Sequence, residues 1–95
     1  MFTFTEAEML EYRQKYLSPD QPFQIHTFPS KEKRRYFLIQ ACAHIIEEDR
    51  IYNEKEINEI LKQVYSDYVM IRRYLVDYGF INRKNDGSMY WKNKS

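Results

Sequence analysis

Between Tyr52 and Trp91 the apolar positions change period, and the changes mark out two helices followed by a hairpin. Ile57, Ile60, Leu61 and Val64 recur at intervals of three and four, which lays one apolar stripe along a helix. Asn53 followed by Glu56 has the spacing of a capping box, so this helix is expected to start near Glu54. The stripe stops at Tyr65 and Ser66, and a turn of about two or three residues follows. Ser66 or Asp67 can cap a second helix, on which Tyr68, Ile71, Leu75 and Tyr78 share the inward face. Gly79 supplies its left-handed stop. The period then drops to two in FINRK (80–84) and SMYW (88–91), joined by Asn85, Asp86 and Gly87, which tolerate the positive φ of a tight hairpin.

Upstream, Thr5 with Glu8 is a second capping box, and Met9, Leu10, Tyr12, Tyr16 and Leu17 predict an amphipathic leader helix ending before Pro19. Pro19, Pro22 and Pro29 punctuate an extended connection that Phe23, Ile25 and Phe28 anchor to the body. Ser30 is expected to cap a further helix running through Leu38, Ile39, Cys42, Ile45 and Ile46 to the acidic EED at 47–49. Its first turns, KEKRR, are cationic and its end anionic, the reverse of what the helix dipole favours, so another contact is expected to hold those cations. Arg50, Ile51 and Tyr52 predict a short strand beside the hairpin. The fold class is α+β: a winged helix-turn-helix-like three-helix core with a small antiparallel sheet as the wing and an extra N-terminal helix. Residues 1–24 form the N-terminal helix and linker, and residues 25–95 the winged-helix-like domain.

Composition limits this picture more than it extends it. Ninety-five residues suit one modest core, and 43% hydrophobic with 17% aromatic residues is enough apolar surface for folding. No apolar run approaches the ~20 residues of a membrane span, and no secretory signal character is visible, so a cytoplasmic location is expected. A lone cysteine agrees with a reducing compartment. The net charge of +1 hides an asymmetry: residues 62–95 hold seven basic and three acidic side chains, a local +4.

The segments FPSKEKRR (28–35), YNEKEINEIL (52–61), DYVMIRRYLVDYGFINR (67–83) and DGSMYW (86–91) together resemble the bacterial family catalogued as domain of unknown function 2087. The resemblance covers roughly residues 25–92 and leaves the leader helix outside. It implies a transcription-regulator module, and some relatives carry it behind a separate DNA-binding domain. More loosely, IRRYL, YGFINR and GSMY are similar to the helix and wing of winged-helix repressors, in which an arginine-bearing helix enters the major groove.

With Ile71 and Leu75 inward, Arg73 points outward and Arg72 lies on the flank. A guanidinium there can donate bidentately to guanine O6 and N7, while Arg83, Lys84, Lys92 and Lys94 can contact phosphates. Lys31, Arg34 and Arg35 of the KEKRR segment can add a backbone clamp, or face a partner or solvent. The plainer alternatives are an Arg73 surface pair with Asp77 and solvated lysines. Val69, Met70 and Val76 flank Arg73 and favour a covering surface: the leader helix, a homodimer or a protein partner. Asp67 and Asp77 also repel phosphate.

Cys42, His44 and His26 lack the spacing of a zinc set or a nucleophilic triad, and both glycines serve turns, so neither catalysis nor a metal or other cofactor is expected. Cys42 reads as core, the nine tyrosines as core or rim packing, and Trp91 as the residue closing the wing against the body. The expected function is a transcriptional regulator binding double-stranded DNA as a homodimer, through the second helix of the helix-turn-helix and the wing. The alternative is a non-catalytic protein-protein interaction module.

Overall fold

A computed structural model describes residues 2–20 and 23–94, which leaves Pro22 of the proline-punctuated connection outside the described residues. The elements run α1 (Glu6–Tyr16), α2 (Glu32–Ala43), β1 (Ile51–Tyr52), α3 (Glu54–Lys62), α4 (Tyr68–Asp77), β2 (Ile81–Arg83) and β3 (Tyr90–Lys92). The molecule is therefore α+β, with a three-stranded antiparallel sheet in the order β1-β3-β2.

Local chemistry sets most of the element boundaries. Both capping boxes form, Thr5 with Glu8 at α1 and Asn53 with Glu56 at α3. At α4 the cap is Asp67, whose carboxylate accepts from the Met70 N–H. Gly79 (φ 80°) follows α4 and Gly87 (φ 76°) turns the hairpin, both in the left-handed region that side chains disfavour.

Four expectations need correction. Ser30 does not cap α2; Lys31 occupies that position with no side-chain hydrogen bond. Helix α2 ends at Ala43, and Ile46 reaches the core from the turn that follows, so the EED acids lie outside the helix and only the cationic first turn opposes the dipole. Residues 63–67 separate α3 from α4, a longer turn than expected. Trp91 does not close the wing against the body: Tyr90 does. Strand alternation puts the buried Tyr52–Tyr90 pair on the helix side and the Ile51–Trp91 pair on the outer face, where Ile51 is 59% exposed.

The core is one cluster in which Leu38, Ile39, Cys42, Ile57, Leu61, Ile71 and Leu75 are fully buried. Helix α1 joins it through Tyr12 and Tyr16, with Tyr12 edge-on to Phe37 at 5.4 Å. It thus packs on α2 and not over the outer face of α4. The connection after it is tied down by backbone bonds from Ser18 N–H to Gln24 O (2.8 Å), Ile25 N–H to Val64 O (2.9 Å) and His26 N–H to Tyr16 O (2.8 Å). Its anchors are Ile25, buried, and Phe23 and Phe28, half-buried.

The cations of α2's first turn have partners within the chain. Lys33 pairs with Glu8 at 2.8 Å, and Arg34 donates to the Tyr16 hydroxyl at 2.8 Å and lies 3.7 Å from Glu11. Arg35 donates to the Tyr78 hydroxyl at 3.3 Å and to Ser30 O at 3.0 Å, with its guanidinium 5.1 Å from the Tyr74 ring. These contacts, to α1 and α4, are what holds positive charge at that helix start.

Candidate nucleic-acid interface

Helix α4 is oriented by Ile71 and Leu75, both fully buried, and this fixes where its remaining side chains emerge. Beside it the hairpin is held in register by Arg83 opposite Tyr90 and Asn82 opposite Trp91. Asp86 secures the hairpin turn by accepting from the Ser88 hydroxyl (2.7 Å) and backbone N–H (2.9 Å), bonds that also hold its carboxyl below the usual range. The Lys84 N–H bonds Met89 O at 3.0 Å and the Gly87 N–H bonds Lys84 O at 2.9 Å, which close the turn.

Between α4 and the hairpin runs a groove of about 500 Å³, lined by Val69, Arg72, Arg73, Val76 and Asp77 from the helix and by Arg83 and Tyr90 from the sheet. Three of the cations singled out in the sequence converge here, but their states differ. The Arg72 side chain, only 16% exposed, donates to Asn58 Oδ1, sits 3.4 Å from Glu54 and lies 5.7 Å from the Tyr90 ring centre. It is a strut tying α4 to α3 and β3. Arg73 is exposed and makes no hydrogen bond or ion pair among the described residues, Asp77 included. Arg83 bends over the hairpin tip, donating to Lys84 O at 3.2 Å and Asn85 O at 2.9 Å, so its charge is held beside the groove.

Other candidates lie elsewhere. Lys84 is exposed at the hairpin tip, whereas Lys92 lines the hollow on the outer sheet face and Lys94 pairs with Asp49 at 2.9 Å. Lys31 is exposed at the start of α2, and Arg34 and Arg35 are engaged as described. Of the apolar set, Val69 is 38% exposed, while Met70 and Val76 pack partly against the core. Cys42 is fully buried, and desolvation pushes its thiol up to about 12, so it stays protonated at neutral pH. His26 and His44 are exposed.

The sequence reading missed Asn58 and Glu54 as partners of Arg72, and Tyr90 as a wall of the groove. Strand alternation could have found Tyr90, since Tyr90 and Trp91 must face opposite ways. Nothing local could have found Asn58.

Residues 24–92 match the family described as "Uncharacterized protein conserved in bacteria (DUF2087)". The chain belongs to this family. The DUF2087 segment contains α2 to α4 and the whole sheet, hence every wall of the groove, while α1 precedes it. No match was found among curated proteins or among solved structures. The groove is thus carried by the DUF2087 segment, and α1 packs on α2 away from it.

Proposed function

We propose that this DUF2087 protein is a transcriptional regulator with a winged-helix DNA-binding domain, α4 lying in the major groove and the β2–β3 hairpin acting as the wing. The observation that carries the reading is the convergence of an unpaired, exposed Arg73 with Arg83 on one groove between helix and hairpin. The element order from α2 to β3 and the sheet order β1-β3-β2 support it. Arg73 reaches base edges, Arg83 and Lys84 reach phosphates, and Arg72 holds α4 in place instead of touching DNA. Two copies on adjacent half-sites raise affinity and select spacing.

Titration of a labelled random-sequence duplex at ~50 and ~200 mM salt tests this. If about three phosphates are neutralised, affinity falls roughly forty-fold across that range. The Arg73→Ala, Arg83→Ala double variant is expected to lose most of the binding. Binding that ignores salt, or that the double variant retains, refutes the reading.

A second reading is favoured by Val69 and Val76, which put apolar surface in the same groove beside Asp77. In it the groove receives a protein partner, and affinity for that partner survives salt.

A further inference from the structure

We propose that α4 reads sequence through two side chains one turn apart, with Arg73 donating to guanine O6 and N7 and Val69 packing on the C5-methyl group of a nearby thymine. The inference rests on the duplex-binding reading above and adds what the groove would recognise.

Val69 is 38% exposed, yet it lines the same groove as Arg73 and Arg83, two cations opposed by one acid, Asp77, while the charge of Arg72 is balanced by Glu54. That charge balance suits a polyanion, but a phosphate offers nothing to an isopropyl group. A DNA major groove does: the thymine methyl is the apolar element of its donor and acceptor code. Arg73, without a hydrogen-bond or ion-pair partner among the described residues, supplies the complementary polar reader.

Spacing agrees with the pairing. Residues four apart on an α-helix share a face and are separated by ~6 Å along the axis. Base pairs stack every ~3.4 Å, so a helix lying along the groove places the two contacts on base pairs roughly one to two steps apart. Asp77, a further turn along and also exposed, lies where α4 ends and is not part of the reading pair.

The test starts by selecting bound duplexes from a random pool with the full chain. Each thymine of a selected site is then replaced by deoxyuridine, which keeps the pairing and removes only the methyl group. Affinity is measured for the natural protein, Val69→Ser and Arg73→Ala. At one thymine within two base pairs of a required guanine, loss of the methyl is expected to weaken the natural protein about four-fold and leave Val69→Ser unaffected. Arg73→Ala is expected to lose the guanine preference while remaining sensitive to the methyl. Selected sites bound equally well with deoxyuridine at every position, or a methyl effect that persists in Val69→Ser, overturn the inference while leaving duplex binding intact. Failure to bind any duplex overturns the binding reading and this inference with it.

Discussion

Arg72 and Arg73 are consecutive residues of one type, and their surroundings give them opposite tasks. Arg72 is drawn in by Asn58, Glu54 and the Tyr90 ring, three contacts from two other elements. Its truncation leaves the Asn58 amide without that donor and loosens α4 from α3, so Arg72→Ala is expected to cost about 1 to 2 kcal/mol of unfolding free energy. Arg73→Ala removes an exposed side chain that has no partner among the described residues and is expected to change stability by less than ~0.5 kcal/mol, while lowering duplex affinity. Paired urea titrations check this; equal destabilisation by the two substitutions would contradict the division of roles. The sequence places Arg73 outward and Arg72 on the flank because a helical wheel resolves direction around an axis. It has no access to what stands beside the axis, and Asn58 lies 14 residues away on another helix.

At the level of elements, the legible features were those decided within four residues. Thr5 with Glu8, Asn53 with Glu56, Asp67, Gly79 and Gly87 end or turn elements by side-chain bonds or by φ, and each stands where its spacing put it. Features decided by burial were less legible. Ile45 and Ile46 continue the apolar spacing of α2, but they reach the core from a turn, because periodicity reports burial and not backbone hydrogen bonding. The docking of α1 on α2 was likewise invisible, though it has a titratable signature. The Lys33 ammonium, and then the Thr5 backbone N–H, hold the Glu8 carboxyl down at about 2 against its ordinary 4.5, and Glu8 in turn raises Lys33. The unfolded chain therefore takes up this proton first as pH falls. The stabilisation is complete above about 4.5 and is lost as pH drops toward about 2. Thermal unfolding followed down this window is expected to fall more steeply for the natural protein than for Glu8→Gln, which keeps the capping box without the charge. Parallel curves would mean that the pair does not couple α1 to the body.

Over the whole molecule, α1 lies outside the DUF2087 segment yet shares its core, and none of its residues lines the groove. The proposed duplex binding thereby falls to the family segment alone, whereas α1 contributes to the core. Removing residues 1–17 strips Tyr12 from Phe37 and Tyr16 from the core, and releases the backbone bond from the His26 N–H to Tyr16 O and the partners of Lys33 and Arg34. Losing two buried aromatics while the exposed face partly relaxes is expected to cost about 3 kcal/mol, less than two separate core truncations would. For a domain of this size that lowers the unfolding midpoint by roughly 12 to 24 °C. The walls of the groove come from α4, β2 and β3, and Arg72 anchors α4 to α3 without help from α1. Duplex affinity and its salt slope, measured well below the lowered midpoint, are therefore expected to match those of the full chain. If instead the shortened chain melts lower and also loses the salt-sensitive part of its affinity, the cations beside α1 take part in binding, and Lys33 and Arg34 rather than Arg83 would be the phosphate contacts to test next.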